Sequence, residues 1–202
     1  MPAYLTPLAD LSHGDSPERL GALVSFLGYR PNALLTMARK PRLLPAILEL
    51  VQVALRGPGR VDEALRFLVA TEASRSAGCA YSAAHTAHAA EHLGVGVRKL
   101  ADLDRWPDSP HYAASEKAAL ALATVAAQPI ADGAPARREA AFTAVRAHFD
   151  EDQVLELVAV ISAFGWFNRW NSLVRSELEA EPAAIAAQLP WLAQLLKQHH
   201  GR

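Results

Sequence analysis

The residues with the most chemistry lie in one short run, Gly78-Cys79-Ala80-Tyr81-Ser82-Ala83-Ala84-His85-Thr86-Ala87-His88. Residues three apart are neighbours on a helix face. Cys79, Ser82 and His85 then form a slanting stripe of thiol, hydroxyl and imidazole. A thiol at a helix N-terminus meets the positive end of the helix dipole, which favours the thiolate. A thiolate beside an imidazole suits nucleophilic or redox chemistry. The competing reading is packing, since free cysteine is among the most buried residue types. Spacing by itself leaves both open. His85, His88 and His92 share a face, but no carboxylate or thiol at metal-ligand spacing completes a set, so no metal is expected. Trp166, Phe167 and Trp170 form an aromatic stripe that suits core packing or the wall of an apolar pocket opposite Cys79. Tyr81 stands between the motif residues, as a packed ring or a proton donor.

Helices must position this stripe, and the punctuation reads as helical throughout. Pro17 sits where a first helix begins after Ser16, ending near Gly28. Asn32 opens a short segment to Ala38, and Pro41 another that stops before Gly57. Asp62 caps a helix carrying Leu65, Leu68 and Val69. Gly78 ends that helix and lets Cys79 begin the next, which runs to about Leu93 and stops at Gly94. Further helices are expected from Val97 to Leu103, from Ser115 to Gln128 and from Pro135 to about Phe149. Pro129 and Asp132-Gly-Ala-Pro read as a surface loop. Asp150 caps the longest apolar helix, expected to run from Glu151 to about Glu179. Glu181-Pro starts a last element split by Pro190. The predicted core is Leu65, Leu68, Val69, Leu120, Val125, Val154, Leu157, Val158, Ile161 and Phe164. No strand pattern, repeat or low-complexity linker appears, so one all-α domain over 1–202 is the expectation. Within it, 1–40 forms an N-terminal arm or helices, 60–180 the core with the motif hairpin, and 181–202 a C-terminal helix.

Composition narrows the classes. The 202 residues are 51% hydrophobic, 20% charged and 7% aromatic, an ordinary globular balance. With 20 Lys+Arg against 21 Asp+Glu, the formal charge of -1 gives no broad basic face for nucleic acid or anionic membrane. The single Cys excludes an internal disulfide framework, a multi-Cys zinc site and a cluster held within one chain. The start lacks a leader pattern, and no apolar stretch reaches the ~18 residues of a membrane span. A cytoplasmic location is expected, where a lone thiol stays reduced.

The run Ser74-Arg-Ser-Ala-Gly-Cys-Ala-Tyr-Ser-Ala-Ala-His-Thr resembles the redox motif of the alkyl hydroperoxidase D-like, carboxymuconolactone decarboxylase-like superfamily. Pro31-Asn-Ala-Leu-Leu-Thr-Met-Ala-Arg-Lys-Pro resembles its lead-in segment, and the stretch from His148 through Asn168-Arg169 its long helix. The resemblance covers about Tyr29 to Glu179. It implies an all-α helical bundle of the alkyl hydroperoxidase D-like fold, assembled as homo-oligomers (dimers, trimers or hexamers), with no cofactor. In redox-active members the motif is Cys-x-x-Cys followed by His. The second Cys attacks a peroxide, the first resolves it, and an upstream Glu joins the proton relay. Carried over, Cys79 matches the resolving Cys and His85 the His. Ser82 stands at the peroxidatic position and Phe67 at that of the Glu, with Glu72 on the same helix as the substitute.

Serine cannot cycle through a sulfenic acid, so the two-Cys cycle is excluded for this sequence. The first expectation is a peroxidase-related antioxidant protein. In it Cys79, Ser82, His85 and Glu72 form the catalytic set, and Tyr81, Trp166 and Trp170 line the substrate pocket. It would act on a small-molecule peroxide with an external thiol reductant. Two alternatives stand beside it. One is a non-redox enzyme like the decarboxylase branch, with His85 as base acting on an aromatic acid. The other is a catalytically silent oligomeric scaffold.

Overall fold

A computed structural model describes residues 3–9, 17–128 and 135–200. Ser16, the expected loop at Pro129 to Ala134 and the last two residues lie outside them. Among the described residues the chain is helical, with no strand: α1 (Pro17–Leu27), α2 (Asn32–Met37), α3 (Leu43–Val51), α4 (Glu63–Ser76), α5 (Ala80–His92), α6 (Val97–Ala101), α7 (Ala114–Ala126), α8 (Pro135–Arg146), α9 (Glu151–Val174), α10 (Ala180–Ala186) and α11 (Pro190–His200). A π-helical turn, Gln52–Arg56, continues α3. None of these helices is long and apolar enough to cross a membrane.

The chain's caps set the hairpin. The Asp62 carboxylate accepts the Ala64 and Leu65 amides and starts α4. At its other end Gly78 adopts φ +73°, the left-handed conformation that glycine reaches without a Cβ penalty. The Gly78 amide bonds the Arg75 carbonyl and the Cys79 amide the Ser74 carbonyl, the pair of a Schellman cap. The chain reverses there, and Cys79 becomes the N-cap of α5.

α5 is the central helix. Ala80, Ala83, Ala84, Ala87, Ala89 and Ala90 are all buried, and such small side chains let neighbours pack closely on several faces. α4, α9, α10 and α11 all pack on it, while α7 and α9 lie against α4. Of the predicted core, seven residues are buried; Leu65, Val125 and Val158 are half-buried and pack against it. The N-terminal segment is part of this packing: Leu20, Leu23, Phe26 and Leu27 of α1 lie on the core.

The long helix stops short of its expected end. Arg175 turns left-handed, φ 55°, and closes α9 at Val174. Asn171 helps to form the turn, its side-chain oxygen accepting from the Ser176 hydroxyl at 3.0 Å. Residues 175–179 are thereby released from the helix, and Glu179 becomes the extended N-cap residue of α10.

Candidate active site

The first turns of α5 place Tyr81, Ser82 and His85 around the polar end of a cavity of about 110 Å³. Its other walls are apolar: Leu27 from α1, Leu34 and Met37 from α2, Phe67 from α4, and Phe164 and Phe167 from α9. Phe67, at the position expected for a family carboxylate, gives the cavity a hydrocarbon wall instead.

His85 is held at both ring nitrogens. Nε2 lies 2.7 Å from Glu179 Oε2, and Nδ1 lies 2.7 Å from the Tyr29 hydroxyl. A nitrogen facing a carboxylate carries hydrogen, so Nε2–H donates to Glu179. Nδ1 of the neutral ring then accepts from the Tyr29 O–H. When Nδ1 is also protonated, the phenol turns and accepts. Both charge states keep their hydrogen bonds, which suits a group that gains and loses a proton.

Glu179 is fixed in turn. Its Oε1 accepts from the Tyr81 hydroxyl at 2.9 Å and from the Asn32 amide. The Tyr81 oxygen accepts the Ala33 amide at 3.1 Å, and the Tyr81 ring lies 4.2 Å from that of His85, centroid to centroid. Burial pushes the Glu179 carboxyl up, but the His85 hydrogen bond and charge, with the Asn32 amide, outweigh it and leave it below its ordinary value. Burial and the Glu179 charge push both Tyr29 and Tyr81 far up, so each stays a phenol that donates or accepts hydrogen bonds.

Cys79 is not on the cavity. Its side chain is 1% exposed and its Sγ–H donates to Ser82 Oγ at 3.3 Å. The expected lowering by the helix N-terminus is overturned. Burial pushes the thiol up, and hydrogen bonds from Ser82, Ser172 and the α5 amides offset only part of this. Ser82 is the residue that reaches the cavity. Its oxygen also accepts from Asn171 Nδ2 at 3.0 Å, which ties α5 to α9.

Glu72 is not brought to His85. Fully buried, it accepts from Arg75 Nε and Nη2, the Ser76 hydroxyl and, at 2.6 Å, the Thr124 hydroxyl of α7. It pins α4 to α7. Trp166 and Trp170 stack on each other away from the cavity, Trp166 exposed and Trp170 half-buried against the core, and it is Phe164 and Phe167 that line the cavity. Helix phase explains the difference: Phe164, Phe167 and Asn171 point inward, while Trp166 lies on the exposed side. Asn168 bridges to the Ala73 carbonyl of α4 at 3.5 Å. His88 bonds the Leu27 carbonyl at 2.9 Å and His92 meets the Phe26 ring. Among the described residues no group of three ligand side chains converges. Tyr29, Asn171 and Glu179 are the functional candidates that sequence reasoning missed.

The sequence pattern of the carboxymuconolactone decarboxylase family matches residues 41–125. The fold agrees with solved structures of peroxidase-related proteins. Over those 85 residues the chain is similar to the carboxymuconolactone decarboxylase family. The chain is similar to a cysteine-to-alanine variant of the debrominase Bmp8 in complex with 2,3,4-tribromopyrrole, at 26% identity and TM-score 0.83, over 93% of this chain and 98% of that one. The apo debrominase matches at 28% identity and TM-score 0.75, over 91% and 96%. The alkylhydroperoxidase core of an uncharacterised peroxidase-related protein from Ralstonia eutropha JMP134 shares the fold, with 18% identity and TM-score 0.75 over 90% and 95%. No curated protein matches the chain.

Proposed function

We propose that this protein is an acid–base enzyme acting on a small ring-bearing molecule, with His85 as the group that takes and returns the proton. The observation that carries this is His85 clamped between Glu179 and Tyr29 at the polar end of an apolar cavity, with the thiol sealed behind Ser82. Glu179 orients the ring and balances the imidazolium that forms. Tyr29 releases Nδ1 to the substrate proton and then accepts that proton's hydrogen bond. On a pyrrole-type ring the imidazolium adds a hydron to a ring carbon, the new bond drawing on the ring's π pair; the neutral imidazole then takes the original hydrogen and that C–H pair returns to the ring. The hydrocarbon walls lower the local dielectric, which strengthens each of these interactions.

The ligand of the debrominase structure, 2,3,4-tribromopyrrole, supplies a probe of suitable size. In D2O the wild-type protein is expected to speed exchange of its ring C–H, followed by NMR. His85→Asn should slow this by roughly 100- to 10,000-fold, the span of general acid–base catalysis. Equal exchange rates in the two proteins would remove His85 from the mechanism.

A second reading, peroxide reduction by Cys79 alone, is favoured by the 3.3 Å contact that puts the thiol one side chain behind the cavity. There the sulfur would attack the O–O bond, forming a sulfenic acid and releasing an alcohol. Two external thiols would then restore the Cys and release water. Thiol-dependent peroxide loss that disappears in Cys79→Ser would establish it.

A further inference from the structure

The cavity's lining defines a substrate class. We infer that the site takes a neutral, single-ring molecule with one hydrogen-bonding edge, of the phenol or azole type, and rejects a carboxylate of the same size. This rests on His85 being the working base. The volume of about 110 Å³ is on a ring's scale; an engineered apolar cavity of ~150 Å³ takes benzene. Among the described residues no Lys or Arg lines it. A ligand carboxylate would lose its water and find no Lys or Arg, and a buried charge without a partner is among the costliest arrangements in a protein. The charge next to its polar end is of the wrong sign: the Glu179 carboxylate stands 2.7 Å from the His85 ring nitrogen.

The polar end is also largely occupied with itself. His85 uses both nitrogens, and the Tyr81 hydroxyl both donates and accepts. The Thr86 hydroxyl donates to the Ser82 carbonyl. Ser82 Oγ accepts from Cys79 and Asn171, which leaves its own hydrogen for a ligand. One donor beside one exchangeable base matches one N–H or O–H edge. The hydrocarbon walls of Met37, Phe67, Phe164 and Phe167 take the rest of the ring.

The test pairs 4-bromophenol with 4-bromobenzoate, nearly equal in size and different in charge at neutral pH. Calorimetry on the full chain should show the phenol binding and the benzoate binding at least ~100-fold more weakly. Leu23, half-buried on α1 and lining the cavity, is the place to add a cation that still reaches water. Leu23→Arg should recover benzoate binding, narrowing or reversing the preference for the phenol. Benzoate binding as tightly as phenol to the wild type would overturn the inference, and so would binding of neither. His85→Asn keeps the two failures apart. If it still prefers phenol over benzoate while proton exchange is unaffected, the substrate class stands and the assignment of His85 falls.

Discussion

A thiol at a helix N-terminus is subject to two opposed forces: the dipole favours its anion, and burial opposes it. At Cys79 burial wins. The sulfur is sealed beneath Ser82 and its pKa moves up. The native protein should therefore react with a disulfide-exchange probe at neutral pH on the order of 100-fold more slowly than the urea-unfolded chain. Rapid native labelling would contradict the buried placement. Ser82→Cys is the complementary change. It puts a thiol on the cavity wall where the present oxygen lies 3.3 Å from Cys79 Sγ. Mild oxidation should then close a disulfide within one chain, read as a mass loss of two hydrogens and loss of thiol labelling. The stripe of Cys79, Ser82 and His85 was legible from three-residue spacing. The depth of Cys79 was not, because besides Ser82 it meets Ser172 of α9, far away in sequence.

At the scale of elements, punctuation carried most of the information. Pro17, Asp62, Gly78, Asp150 and Pro190 stand at or beside the helix ends they were expected to mark. Gly78→Ala should cost about 1 kcal/mol, because the open space around it leaves only the φ +73° strain to oppose a Cβ. Thermal unfolding should fall by about 2–4 °C; an unchanged midpoint would mean that the cap relaxes. The end of α9 was the error with consequences. No Gly or Pro stands between Val174 and Pro182, so the pattern reads on to Glu179 as helix. The actual stop is Arg175 in a left-handed turn with Asn171 and Ser176 bonded across it. Missing that stop hid Glu179, since a carboxylate inside a helix cannot serve as an N-cap facing His85. Tyr29 was hidden for a related reason: it lies in a loop 56 residues before its partner His85.

For the whole molecule, Glu179 is a clamp as much as a site residue. It joins the N-terminal segment at Asn32, α5 at His85 and Tyr81, and its own helix α10. A carboxyl whose folded pKa lies below its unfolded value contributes stability above the unfolded value, and that contribution is lost as pH falls through the folded one. Starting near the ordinary value of 4.5 and continuing below it, acidification should lower the unfolding midpoint of the wild type more than that of Glu179→Gln. Parallel curves would show that the clamp is not coupled to folding. The outer face of α9 carries Leu155 and Leu173 five turns apart, with Trp166 between them, all exposed. We propose that a second copy covers this face, in keeping with the homo-oligomers the superfamily resemblance implies. Sedimentation should give an assembly for the wild type and a smaller species for Leu155→Glu with Leu173→Glu. A monomeric wild type would refute the proposal.

The central claim is that the imidazole, and not the thiol, is the working group. One experiment sets them against each other: deuterium exchange into 2,3,4-tribromopyrrole by wild type, Cys79→Ser and His85→Asn, with folding of each checked by circular dichroism. The account predicts wild-type exchange in Cys79→Ser and a loss of roughly 100-fold or more in His85→Asn. Exchange that survives without His85, or vanishes without Cys79, would contradict it.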